Sequence, residues 1–145
     1  MEKFMKEALK EAEKAKLEGN SPFGAVIVSP GGKIVSRGHD MISSSFDPTA
    51  HGEIVAIRKL CKKEKNRNFS GYACYSTSEP CPMCLAACLK TKINSFYYGA
   101  PMEKSAKLYI PAEYVISKFR AFKVNLVGGI LEKECLEQRK AGTKK

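Results

Sequence analysis

Two short segments of this sequence carry the residues able to do chemistry. One is His51–Gly52–Glu53 and the other is Pro80–Cys81–Pro82–Met83–Cys84. His51, Cys81 and Cys84 offer one imidazole and two thiolates, a donor mixture that zinc accepts. Three protein ligands leave a fourth tetrahedral position open to water, which is the arrangement of a catalytic metal. The step from Cys81 to Cys84 puts both on one face of a helical turn. A helix N-terminus there, with free N–H groups and partial positive charge, favours thiolates. Glu53, two residues past His51, is then read as a proton carrier and not as a ligand. Beside a water at the open position, its carboxylate takes the first proton and passes it to the substrate. Such a site adds water to an electron-poor carbon. Where that carbon carries an amino group in a C=N system, the adduct expels ammonia.

Neither segment is specific alone, because CxxC serves redox and structural sites and HxE is weaker still. Together, HxE on one helix, then a strand, then PCxxC opening the next helix match the zinc deaminase signature. The competing reading is a closed structural zinc site, with His39 or Cys88 as the fourth ligand. Cys88 lies one turn past Cys84, and its helix is expected to have turned into the core by then. Glu53 separates these readings, since a structural site has no use for a carboxylate beside an open position. It also separates an enzyme from a zinc-stabilised RNA-binding protein or an inactive partner subunit.

The elements that must hold these residues follow from periodicity. Met1–Leu17 reads as a helix with Phe4, Ala8, Leu9, Ala12, Ala15 and Leu17 inward, ended by Gly19–Asn20. Phe23–Ser29 and Lys33–Gly38 read as a hairpin about the turn Pro30–Gly31–Gly32. Asp40–Asp47 reads as loop. Pro48–Lys62 reads as a helix capped by Asp47 or Thr49, with Ala50, Ile54, Ile57 and Cys61 inward. Tyr72–Thr77 and Asn94–Gly99 are strands on either side of a helix at Cys81–Leu89. That crossover favours a parallel pair. Ala112–Phe119 is a short helix, Lys123–Val127 a last strand and Ile130–Gln138 a closing helix before a frayed, Lys-rich tail. The sum is an α/β fold: a three-layer α/β/α sandwich around a mixed five-stranded sheet.

The 145 residues suit a single domain, and no linker or repeat divides residues 1–145. No apolar run approaches the ~18–20 residues that span a bilayer. The first segment lacks the apolar stretch of a signal peptide, so the chain is expected to be soluble and cytoplasmic. Lys and Arg number 25 against 15 Asp and Glu, a formal charge of +10. The excess lies beyond residue 50 and is densest over Arg58, Lys59, Lys62, Lys63, Lys65 and Arg67. It suits phosphates, and it equally suits a solubilising surface. Of the six cysteines, three fall at 81, 84 and 88, a clustering that points to metal before disulfides.

The matching text extends beyond the two segments. It includes Pro22–Phe23–Gly24–Ala25–Val26, Asp47–Pro48–Thr49–Ala50–His51–Gly52–Glu53–Ile54, Ser78–Glu79–Pro80–Cys81–Pro82–Met83–Cys84, and Gly128–Gly129–Ile130–Leu131 with Glu134–Cys135. On these residues the chain resembles the cytidine and deoxycytidylate deaminase superfamily. The branch is the one holding guanine deaminases, fungal-type cytosine deaminases and bacterial tRNA adenosine deaminases. The resemblance implies that His51, Cys81 and Cys84 bind zinc, that Glu53 shuttles protons, that the last two strands run parallel, and that the chain is a homodimer or larger. It also places Asp40 at the substrate, and Phe23 and Ala50 are further candidates for substrate contact. Asp40 departs from the family's usual Asn. An ionised Asp only accepts hydrogen bonds, so Asp40 either prefers a donor-rich edge or sugar hydroxyl, or simply caps its own loop. Phe23 either stacks on a ring or packs as core.

The substrate reading favours a free base or nucleoside of the guanine or cytosine type. The stretch around Ser76–Cys84 looks most like guanine deaminases, and His51–Gly52–Glu53 like cytosine deaminases. A tRNA adenosine deaminase is the alternative. It is supported by the basic charge and by Lys90, Lys92, Lys104 and Lys107 near the expected rim. Against it, the tail from Glu137 to Lys145 lacks an aromatic to stack on a base.

Overall fold

The computed structural model describes residues 1–120 and 123–143. Its five strands are β1 (Gly24–Val28), β2 (Ile34–His39), β3 (Ala73–Ser78), β4 (Ser95–Ala100) and β5 (Asn125–Val127), in the order β2-β1-β3-β4-β5. β1 runs antiparallel to both β2 and β3, while β3, β4 and β5 are parallel. The mixed five-stranded sheet and the crossover between β3 and β4 are as expected, and so is the parallel closing pair.

Among the described residues six helices flank the sheet: α1 (Glu2–Leu17), α2 (Ile42–Ser45), α3 (Gly52–Glu64), α4 (Pro82–Lys90), α5 (Ala112–Lys118) and α6 (Glu132–Thr143). Side chains alternate across a strand, so one strand feeds two cores. Ala25 and Ile27 of β1 meet Ala56, Leu60, Leu85, Cys88 and Ala112 of α3, α4 and α5. Val26 and Val28 meet Met5 and Ala8 of α1 and Cys135 of α6 on the other face. These are the two outer layers of the sandwich. No helix among the described residues is long and apolar enough to cross a membrane.

The first turn of α3 sits directly on β2. A Cβ at Gly38 would meet the Gly52 carbonyl oxygen and lie 2.6 Å from the Ala56 nitrogen. Both partners are backbone and cannot step aside. Gly38→Ala is therefore expected to destabilise the fold by about 1–3 kcal/mol or more through overpacking. A lowered urea midpoint at constant m-value would show it.

Several local expectations are corrected. The helix expected from Pro48 begins at Gly52, with His51 as an extended N-cap, φ −66° and ψ 157°. The cause is Asp47, whose Oδ1 accepts from both the backbone N–H and the hydroxyl of Thr49, at 2.9 and 2.7 Å. That turn competes with helix across residues 47–50. The loop 40–47 contains α2, ended by Phe46 in the left-handed region at φ 53°. Leu17, placed inward by periodicity, is 79 % exposed, while Met5 is fully buried. α6 continues past Gln138 to Thr143, and the end of the expected frayed tail, Lys144–Lys145, lies outside the described residues.

Candidate active site

Two helix N-termini converge on one point. His51 is the N-cap of α3 and Cys81 the N-cap of α4, and neither side chain caps its own helix. Both turn outward to a common cluster instead. Cys84, in the first turn of α4, completes it from a fully buried position. His51 Nδ1 lies 3.6 Å from Cys81 Sγ and 3.4 Å from Cys84 Sγ. All three donor atoms fall within 4.8 Å of one another. A tetrahedral ion with Zn–N of ~2.1 Å and Zn–S of ~2.3 Å requires donor separations of about 3.6–3.8 Å. The donor set and its spacing are consistent with a zinc site.

Protonation follows the same geometry. The hydrogen bond from Cys84, and after it His51, pulls the Cys81 thiol down to about 4 despite burial. Its thiolate in turn raises the His51 imidazole. Cys84 is pushed the other way, first by donating to Cys81 and then by burial and Glu53. In the metal-free chain the pair thus shares one proton, which a cation would displace.

Glu53 sits in the first turn of α3 and is 7 % exposed. Burial raises its carboxyl above the ordinary value. It lines a cavity of about 230 Å³ with His51, Cys81, Phe23, Asp40 and Met102. That is smaller than the ~300–1,000 Å³ of drug-sized pockets, so the space suits one heterocyclic base.

The other sequence candidates divide. Asp40 is buried on the cavity wall, with its carboxyl raised by desolvation. Its Oδ1 accepts the Ile42 N–H at 3.0 Å, which leaves Oδ2 for a ligand. Loop capping and cavity lining are thus both present in one residue. Phe23 is half-buried and lines the cavity, with the Arg139 guanidinium 5.7 Å from its ring centre. Ala50 is buried beside His51 and is not among the lining residues; its carbonyl accepts the Met41 N–H at 2.9 Å. Neither candidate fourth ligand joins the cluster. His39 Nε2 pairs with Glu18 at 2.9 Å, and Cys88 is on the fully buried, core-facing side of α4. Lys90 lies at the far end of α4, about 13.5 Å along the axis from Cys81. Lys104 and Lys107 lie in the exposed loop after β4.

Sequence reasoning missed Met102, Arg139 and the role of Glu79. Glu79 was visible as the carboxylate two residues before Cys81. Met102 and Arg139 had no local signal, because only the fold brings Met102 to the cavity and Arg139 against Phe23.

The turn before His51 is held by Asp47, which also receives Arg58 Nη1 at 3.0 Å. Hydrogen bonds from the Thr49 hydroxyl and N–H, then Arg58, lower the Asp47 carboxyl to about 2. A carboxyl depressed in the folded state stabilises above its unfolded value of 3.8, and that support is lost as pH falls through about 2. Asp47→Ala should therefore loosen His51 at neutral pH. Chelator challenge should strip zinc from this variant several-fold faster than from the wild type, with far-UV circular dichroism unchanged.

Fold and cluster together define a zinc-dependent hydrolase of the deaminase kind. The profile of the cytidine and deoxycytidylate deaminase zinc-binding region matches residues 1–100, and the chain belongs to that family. It is 34 % identical over 134 residues to the tRNA-specific adenosine deaminase of Bacillus subtilis (strain 168), covering 92 % of this chain and 83 % of that one. It is 41 % identical over 86 residues to the guanine deaminase of the same organism, covering 59 % and 54 %. A solved structure from a study of A-to-I editing by tRNA:A34 deaminases at the wobble position superposes with a TM-score of 0.83. That match has 32 % identity and covers 94 % of this chain and 98 % of the other.

Proposed function

We propose that residues 1–145 form one deaminase domain that converts adenosine to inosine within a tRNA anticodon, releasing ammonia. This departs from the free-base preference drawn from the sequence. What carries the reading is likeness spread over nearly the whole chain to a tRNA-specific adenosine deaminase. The likeness to the guanine deaminase spans a shorter stretch. The chain's charge of +10 agrees, since a polyanionic substrate gains from it and an uncharged base does not.

His51, Cys81 and Cys84 are the residues that would hold zinc. The bound ion supplies the Lewis acidity that makes water a nucleophile near neutral pH. Glu53 accepts the water's proton, delivers one to the ring nitrogen, and carries one to the departing amino group. Its burial favours the protonated form between these transfers. Water in and ammonia out turn the amino carbon into a carbonyl. Phe23 packs against the ring face, and Asp40 Oδ2 accepts from the base edge or the ribose. Ala50 holds the backbone just before His51.

The test is ammonia release by the zinc-loaded chain on an anticodon stem-loop with adenosine at the wobble position, and on free adenine, guanine, cytosine and their nucleosides. Turnover of the stem-loop alone is expected. Guanine turnover without stem-loop turnover would make the guanine reading correct. Sedimentation of the same sample tests the homodimer that the family resemblance implies.

A further inference from the structure

Glu79 lines the catalytic cavity beside Cys81 and is 7 % exposed, and both of its carboxylate oxygens are taken by backbone N–H groups. Oε1 accepts the Met102 N–H at 2.9 Å and Oε2 accepts the Ala112 N–H at 2.8 Å. One buried side chain thus grips both ends of the segment between β4 and α5. The intervening residues 103–111, stretched out, would reach ~30 Å. Glu79 instead closes them into a compact loop. Within that loop, backbone bonds run from Ala106 N–H to Glu103 and from Tyr109 N–H to Ala106, both at 3.1 Å. The start of the segment is gripped again by Arg139, whose Nη1 donates to the Pro101 carbonyl at 2.9 Å.

The loop lies where a substrate larger than one base would continue. Met102 lines the catalytic cavity. A second cavity of about 230 Å³ shares Phe23, Ser78 and Met102 with the first, and its outer wall is Glu103 and Ala106. Lys104, Lys107 and Leu108 are exposed on the same loop, Leu108 to 87 %. A free base in the catalytic cavity does not extend to these residues, whereas flanking nucleotides and their phosphates would.

We propose that Glu79 is a positioning residue: by holding Met102 and Ala112 together it sets the 103–111 loop, which reads the polynucleotide flanking the reacting base. The inference rests on the tRNA reading of the site. Glu79→Gln keeps the side-chain shape but replaces one accepting oxygen with an amide that only donates. In the zinc-loaded variant, amide exchange at Met102 and Ala112 should speed up at least about tenfold. KM for the anticodon stem-loop should rise about tenfold, with kcat within about twofold and zinc content unchanged. A second variant, Lys104→Ala/Lys107→Ala, alters only exposed side chains and should raise KM by itself. Combined with Glu79→Gln it should add little, because both changes remove the same contact.

Unchanged exchange at the two amides would overturn the latch. Faster exchange with unchanged KM, or full additivity with the lysine variant, would overturn the loop's recognition role. Loss of kcat in step with loss of zinc would make Glu79 scaffolding for the metal and overturn the proposal too. A wild-type chain that deaminates free bases but not the stem-loop would defeat the tRNA reading before any variant is compared, and this inference with it.

Discussion

Glu53→Gln should lower deamination by about 10²–10⁴-fold while leaving one zinc per chain. The amide keeps the volume and the cavity wall but cannot carry a proton between water, ring nitrogen and leaving group. Metal retention distinguishes this from a ligand defect, since among the described residues the cluster is His51, Cys81 and Cys84. Stability gives a second, independent readout. Burial raises the Glu53 carboxyl in the folded, metal-free chain above its ordinary value of 4.5. The folded state then binds more protons than the unfolded state as pH rises past 4.5, so this group's contribution falls with rising pH. The glutamine variant lacks that penalty. Its Tm in the metal-free form should match the wild type near pH 4 and exceed it at pH 7 to 8. Full activity in the variant would show that another group moves the proton. A Tm below wild type at pH 8 would show that the carboxylate is structurally satisfied instead.

How far the site was legible in the sequence depended on where its parts lie along the chain. The cluster was readable because its three donor residues sit in two short motifs, each at the start of a helix that periodicity located. The sheet was readable for a related reason. β1 is a short apolar run before a Gly-rich turn, and β3, α4 and β4 form a crossover whose handedness and spacing leave few alternatives. The start of α3 was misplaced because an Asx turn at Asp47 competes with helix, and helical spacing alone carries no information on that contest. Leu17 was misplaced because helical periodicity carries no limit on the length of helix the sheet covers.

Residues that reach the site from distant elements left no such trace. Arg139 comes from α6 and is brought under Phe23 only by the fold, and Met102 is held in place by Glu79. The substrate question shows the same limit. The free-base reading leaned on a tail without aromatics. In the fold, α6 buries Cys135 against β4 and sends Arg139 to the Pro101 carbonyl. Those inward side chains support the cavity wall, so the tail's composition says little about whether a base stacks there.

Cys84→Ala should abolish both zinc binding and activity, and it should do so without unfolding the chain. Cys84 is fully buried in the first turn of α4, and its sulfur is one of the three donors of the cluster. Removing one of three ligands leaves His51 and Cys81, a pair too weak to hold zinc against a chelator. The wild-type Tm should rise with added zinc, since a ligand at about 100 times its Kd stabilises by about 2.7 kcal/mol. The variant should show no such rise. Cys88→Ala is the informative counterpart. Cys88 packs in the core with Leu85 and Phe96, so its loss should lower stability yet leave one zinc per chain. Zinc loss in both variants would mean that Cys88 closes the coordination sphere, and a closed site cannot admit water for hydrolysis. Zinc loss in Cys84→Ala alone would leave the fourth position open beside Glu53, which is the condition the proposed chemistry requires.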